Sequence, residues 1–181
     1  MGMHWLGAQR ADDEEADSVT IAPGELWANW PRTARANPSS IVAPRTALEV
    51  QQVVAEAYSR GRHVRPVGAS HTSNALAAAP DILLDARGLR GMNWIDLDSH
   101  EASFGAGTTI AEAGALLETY GWQLQNIPNN PAVTLGGAIA TGSHGTGARF
   151  ASLSSQLVSA TLVSGTGELD TVSAHQDLEL W

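Results

Sequence analysis

The sequence predicts an α+β fold made of two α/β subdomains. Three observations carry this expectation. Thr46-Ala47-Leu48-Glu49 is a capping box that opens a helix between two strand-like runs, and Thr109-Ile110-Ala111-Glu112 opens a second helix behind a hairpin pattern. Strand-like runs outnumber helical ones, which disfavours a helical bundle. Two glycine-rich loops, Gly68-Ala69-Ser70-His71-Thr72-Ser73-Asn74 and Gly136 to Gly147, each carry a histidine, one in each half of the folded part.

Residues 1–26 show no periodicity and include the acidic run Asp12, Asp13, Glu14, Glu15 and Asp17, so a flexible arm is expected there. Trp27, Trp30 and Pro31 mark the start of the folded part, with a first subdomain expected over 27–95. Ile41-Val42 before Pro44 reads as a strand. The helix that follows puts Val50, Val53, Val54, Ala57 and Tyr58 on one face and stops at Gly61, and His63 to Val67 is the next strand. Together they make a β-α-β unit with a glycine loop at its carboxyl end. Asp81 to Asp85 is a further strand, and Met92 to Asp98 with Ala102 to Phe104 reads as a hairpin around Asp98-Ser99-His100-Glu101. The second subdomain, expected over 96–181, continues with a helix whose apolar face is Ile110, Ala113, Leu117 and Tyr120, ended by Gly121. Leu157 to Val163 and Glu168 to Val172 flank Gly165-Thr166-Gly167 as a second hairpin, and Gln176 to Trp181 reads as a helix beginning. Leu178, Leu180 and Trp181 fall in that opening turn without a terminator, so the chain is expected to be part of something longer.

Composition narrows the chemistry. Hydrophobic residues make up 43% and charged ones 16%. No apolar run reaches the roughly 20 residues that cross a bilayer, and the N-terminus lacks a basic stretch followed by an apolar one, so the cytoplasm is the expected compartment. Without cysteine there are no disulfides, thiolate nucleophiles or iron–sulfur ligands within this sequence. All ten basic residues are arginines, which excludes a Walker A loop and a pyridoxal-phosphate Schiff base here. A formal net charge of -9 argues against a nucleic-acid footprint.

Glycines and small hydroxyl residues let backbone N–H groups close on phosphate oxygens, and the first loop leaves a strand, as an anion cradle does. A plain surface turn explains that loop equally well. The run from Gly136 to Gly147 is apolar first and hydroxyl-rich at its end; it reads either as a second ligand loop or as a tightly packed helix with a glycine C-cap. Gly105-Ala106-Gly107-Thr108-Thr109-Ile110 fails the dinucleotide fingerprint at Ile110 and reads as a structural turn, and Gly145 to Phe150 fails at Phe150. His4, His63, His100 and His175 read as ordinary surface or strand histidines, and no trio has metal-ligand spacing.

Taken in order, Asn29-Trp30, Val42-Ala43-Pro44-Arg45, Val64 to Thr72, Gly105 to Thr109 and Thr134 to Gly147 resemble the PCMH-type FAD-binding domain of vanillyl-alcohol oxidase-type flavoenzymes. Within that family the sequence is most similar to the sugar-lactone and alditol oxidases, the group of gulonolactone, arabinonolactone and xylitol oxidases. The resemblance spans roughly Trp27 to Trp181. It implies FAD as cofactor, extended between the two subdomains, with His71 either covalently attached to the flavin or in noncovalent contact with it. Pro66, Val67, Gly68, Ala69, Ser70, His71, Thr72 and Ser73 would cradle its pyrophosphate. Thr134, Gly137, Ala138, Thr141, Gly142, Ser143, His144, Gly145 and Thr146 would lie against the cofactor, with Thr134 also facing substrate and His144 either touching flavin or orienting its loop.

The reaction implied is hydride transfer from a CH–OH carbon of a sugar lactone or alditol to flavin N5, with oxygen or another acceptor downstream. Val133 is the candidate for controlling oxygen access. Relatives continue into a cap domain that binds substrate and supplies the base, so those residues are expected beyond Trp181 and the chain alone is expected to be inactive. The implied partners are a small polyol or lactone and the remaining C-terminal part of the same enzyme. Two alternatives stay open: a noncatalytic flavin- or nucleotide-binding module, and an NADPH-dependent reductase of the cell-wall precursor type with noncovalent FAD.

Overall fold

The computed structural model describes residues 2–5, 21–23 and 25–173, with side chains from residue 25 onward. In chain order the strands β1 (Gly2–Trp5), β2 (Ile21–Pro23), β3 (Trp27–Ala28), β4 (Arg35–Ala36) and β5 (Ser40–Val42) precede helix α1 (Ala47–Ser59). Strands β6 (Val64–Val67), β7 (Ile82–Asp85), β8 (Met92–Asp96) and β9 (Glu101–Phe104) follow, then helices α2 (Ile110–Glu118) and α3 (Leu135–Ala140), and finally β10 (Leu157–Val163) and β11 (Leu169–Ser173). The chain forms two compact units that divide between Gly88 and Leu89. The expected division at 95/96 moves because β8 is hydrogen-bonded to β9 and cannot be parted from it.

The N-terminal unit is a four-stranded sheet in the order β2-β5-β7-β6 beside the small β3-β4 ribbon. β5, β7 and β6 are mutually parallel and β2 closes the edge antiparallel. The β-α-β unit read from the sequence is therefore opened by one strand: β7 lies between the two strands that α1 connects. Val53 and Ala57 of α1 pack with Val42, Ile82 and Leu84 in this unit's core, whereas Tyr58 is exposed. Residues 163–169 also belong to this unit, where Gln51 Nε2 donates to the Gly167 carbonyl at 3.2 Å.

The C-terminal unit holds the five-stranded sheet β11-β10-β1-β9-β8. The two hairpins expected from the sequence are both present, and β1 joins them by running parallel to β9 on one side and β10 on the other. Phe104, Ile110, Ala113, Leu117, Leu135 and Leu153 form its core, while Tyr120, expected on the apolar face of α2, is largely exposed. Two pieces of the expected arm, β1 and β2, are thus strands; runs of four and three residues are too short for periodicity to register. The acidic run at 12–17 and the expected helix start at 176–181 lie outside the described residues.

The three α-helices among the described residues end in the same way. After α1, Gly61 N–H donates to the Tyr58 carbonyl and Arg62 N–H to that of Ala57; after α2, Gly121 and Trp122 do the same to Glu118 and Leu117; after α3, Gly142 and Ser143 do so to Ile139 and Ala138. Gly61, Gly121 and Gly142 sit at φ 62°, 73° and 63°, the left-handed conformation this double hydrogen bond requires. At the other end, Thr46 caps α1 and a complete capping box of Thr109 with Glu112 starts α2. Among the described residues no helix is long and apolar enough to cross a membrane.

Candidate functional site

The first glycine loop leaves the carboxyl end of β6 in the N-terminal unit and borders a cavity of about 290 Å³. Trp27, Trp30, Ile41, Val67, Gly68, Ala69, Ser70, Leu83, Asp85 and Arg87 line it, so the cavity lies toward the carboxyl ends of the parallel strands β5, β6 and β7. That is where open α/β sheets bind ligands, because successive strands hand over to loops there. A cavity of this size takes a diphosphate-sized part of an extended ligand.

The loop's shape is set from outside by the segment 29–33. Asn29, 2% exposed, donates from Nδ2 to the Thr72 carbonyl at 2.8 Å and to Thr33 Oγ1 at 2.9 Å, while its Oδ1 accepts from Ala34 N–H at 2.9 Å. Trp30 N–H donates to the Ser70 carbonyl at 2.8 Å, and Thr33 Oγ1 donates to the Ser73 carbonyl at 2.5 Å. In a trans peptide the carbonyl of one residue and the N–H of the next point in opposite directions. With the carbonyls of Ser70, Thr72 and Ser73 taken by the clasp, the N–H groups of His71, Ser73 and Asn74 turn to the other face of the loop. Ser70 at φ 58° makes the bend that begins this arrangement.

His71 lies against the clasp as well: its ring centroid is 4.9 Å from that of Trp30, with the planes tilted by 34°. On the cavity wall, Arg87 Nε and Nη2 grip the Asp85 carboxylate at 2.8 and 2.5 Å, and Arg87 N–H donates to the same group at 3.0 Å. The Asp85 hydrogen bond raises the Arg87 pKa above its ordinary value. The carboxylate is thereby neutralised where an anion would enter. Turned N–H groups, a compensated carboxylate and small residues Gly68 and Ala69 fit a pyrophosphate-bearing ligand. Pro66 and Val67, expected in the cradle, are strand residues of β6, and Val67 is buried in the cavity wall.

The second run, in the C-terminal unit, begins as the packed helix read for it and continues as a loop. Leu135 to Ala140 is the packed helix α3 with a glycine stop at Gly142, and residues 141–150 are the loop beyond it. Leu135 N–H donates to the Thr108 carbonyl at 2.8 Å and Gly136 N–H to that of Ala106 at 2.9 Å, so the turn 105–108 is built into this packing. A Cβ on Gly105 would meet the Leu89 carbonyl oxygen at 2.3 Å, and that close approach explains Gly105 without a nucleotide.

Thr134 is 2% exposed as the N-cap of α3, next to Gly137, and Ala138 belongs to the core. Thr141 Oγ1 donates back to the Gly137 carbonyl at 2.8 Å, and the Ser143 carbonyl accepts from Leu153 N–H at 2.9 Å. His144 donates from Nδ1 to the Gly145 carbonyl at 2.8 Å, and Thr146 is exposed. Gly145 N–H donates to the Asn126 carbonyl at 2.6 Å.

Of the other histidines, His63 Nδ1 contacts Asp81 Oδ2 at 3.1 Å and His100 stacks on Trp122 at 5.3 Å between centroids. Asp81 is held below its ordinary pKa chiefly by the His63 backbone N–H. His175 lies outside the described residues, as does the His4 side chain. Sequence reasoning marked Asn29-Trp30 without a role and missed Thr33, Asn126 and the Asp85–Arg87 pair. A buried asparagine and an asparagine at φ 49° (Asn126) are the signals, and only the second has a sequence-level rationale.

Comparison with known proteins agrees with this geometry. A family model described as an FAD-binding domain matches residues 38–173. The L-gulono-1,4-lactone dehydrogenase of Mycobacterium tuberculosis is 35% identical over 159 residues, covering 84% of this chain and 36% of that protein. The D-arabinono-1,4-lactone oxidase of Eremothecium gossypii is 30% identical over 165 residues, covering 89% of this chain and 31% of that protein. The chain thus spans about a third of the length of these relatives. Among solved structures, cholesterol oxidase from B. sterolicum superposes with a TM-score of 0.77 at 21% identity, over 93% of this chain and 35% of that one, which shows the shared fold. The family model covers most of the chain, and the chain belongs to the FAD-binding-domain family.

Proposed function

We propose that this chain is the FAD-holding part of an oxidoreductase that oxidises a CH–OH group of a sugar lactone or alditol. The observation that carries the reading is the 35% identity to a lactone dehydrogenase over 84% of the chain, a span that contains both glycine loops. Bound FAD supplies the hydride acceptor, its N5, with oxygen or another oxidant downstream. The chain's own residues bind and orient. The loop 68–74 presents donors to the pyrophosphate, Arg87 keeps the Asp85 carboxylate from repelling it, and Trp30 restricts the His71 ring, the proposed covalent attachment point. In the C-terminal unit the 141–147 loop is proposed as the second cofactor contact, fixed by its Schellman turn and by Asn126.

The proposed partners are a small lactone or polyol and the polypeptide that corresponds to the remaining length of the relatives. The test is anaerobic addition of L-gulono-1,4-lactone, D-arabinono-1,4-lactone and a panel of alditols to the flavin-loaded polypeptide as its host expresses it. Bleaching of the flavin band by one of these compounds supports the reading. A flavin-loaded protein that none of them bleaches contradicts it.

A further inference from the structure

We infer that Asn29 is the positioning residue of the first loop: it fixes the Thr72 carbonyl so that the loop's N–H groups face the pyrophosphate. The inference rests on reading that loop as the pyrophosphate cradle. Asn29 is spent entirely on this geometry. Its Nδ2 donates to the Thr72 carbonyl at 2.8 Å and to Thr33 Oγ1 at 2.9 Å, and its Oδ1 accepts from Ala34 N–H at 2.9 Å.

Thr33 Oγ1 in turn donates to the Ser73 carbonyl at 2.5 Å, and the neighbouring Trp30 N–H donates to the Ser70 carbonyl at 2.8 Å. Three loop carbonyls are turned toward one short segment, over a sequence separation of 40 to 43 residues for the two side-chain bonds. A turn held only by its own local bonds needs no such outside partner. Asparagine suits the position because it both donates and accepts. Aspartate matches it in shape, yet when ionised it is an acceptor only and would face the Thr72 carbonyl with like polarity. That carbonyl would rotate away and carry the Ser73 N–H with it, since the two belong to one rigid peptide.

The experiment is calorimetric titration of the full chain, carrying His71→Ala throughout so that flavin binding stays reversible, with FAD and, separately, with ADP, which carries the pyrophosphate without the flavin. Asn29→Asp is expected to weaken both ligands about tenfold at neutral pH, the loss of roughly one hydrogen bond to a charged group. The far-ultraviolet circular dichroism should stay unchanged. The deficit relative to the His71→Ala parent should shrink as pH falls and the introduced carboxyl regains a proton to donate. Recovery at low pH ties the loss to the missing donor at position 29, and the unchanged circular dichroism separates it from a general loss of structure.

If Asn29→Asp does not fold, Thr33→Val, isosteric and at an exposed position, removes one clasp donor and is expected to weaken both ligands about threefold. Undiminished ADP and FAD affinity in a folded Asn29→Asp variant, or in Thr33→Val where the first does not fold, overturns the inference. A deficit that is the same at every pH also overturns it. A His71→Ala parent chain that binds neither probe overturns the cradle reading itself, and the inference with it.

Discussion

Asn126 Oδ1 accepts the Gly147 N–H at 3.0 Å while the same side chain's Nδ2 donates to the Phe150 and Ala151 carbonyls at 3.3 and 3.0 Å. With its own carbonyl on Gly145 N–H, this one residue fastens the second glycine loop at four points. Asn126→Ala is expected to destabilise the chain by about 2 kcal/mol, the sum of several partly exposed hydrogen bonds. Chemical denaturation of the purified chain measures it.

The glycines of this loop are not equivalent. A Cβ on Gly145 would meet the Ile127 carbonyl oxygen at 2.5 Å and Asn126 Oδ1 at 2.7 Å, whereas one on Gly147 would first meet the exposed Phe150 ring at 2.8 Å. Backbone does not yield and an exposed ring does. Gly145→Ala should cost about 1–3 kcal/mol and Gly147→Ala under about 1 kcal/mol. Gly165→Ala, which meets nothing within 4 Å, is the control and should stay within about 0.5 kcal/mol of wild type. Thermal melts of the three variants give the order.

Glu112 closes the capping box on α2, accepting Thr109 N–H at 3.0 Å, and ion-pairs with Arg90. The Thr109 backbone bond, then its hydroxyl and Arg90, hold the Glu112 pKa below its ordinary 4.5. A depressed folded-state pKa stabilises the chain above the unfolded value, and that contribution is lost as pH falls through the folded one. Glu112→Ala should therefore cost about 1 kcal/mol at neutral pH. The difference from wild type should narrow once the pH drops below 4.5, as denaturation midpoints across pH will show.

Arg87 exists at the cavity to answer Asp85. Arg87→Ala leaves that carboxylate uncompensated beside the proposed pyrophosphate and should weaken ADP and FAD binding about threefold to tenfold. Adding Asp85→Asn to that variant should restore most of the loss, a coupling that a double-mutant cycle by calorimetry reads directly.

What the sequence disclosed followed from local physics. The caps at Thr46 and Thr109 and the stops at Gly61 and Gly121 are decided within a few residues, and both helices lie where those signals put them, although Glu49 accepts from Arg45 N–H and so leaves the box expected at Thr46 incomplete. Hairpins around 97–100 and 164–168 are local for the same reason. The insertion of β7 between β5 and β6, and of β1 between the hairpins, depends on pairing across long separations that no window reveals. The first loop was marked in the sequence because a run of glycine and small hydroxyl residues leaves a strand there, a pattern that a plain turn gives as well. Its clasp was not, because Asn29 acquires its role only when a segment 43 residues away is folded against it.

The most direct test of the central claim is the visible absorbance spectrum of the purified chain with added FAD, taken before and after acid precipitation. A flavin band is expected that persists through gel filtration and stays with the precipitated protein, and that His71→Ala releases on precipitation. Flavin released from the wild type would retain the FAD site and remove the covalent bond to His71. A chain that remains colourless after incubation with FAD would contradict the account.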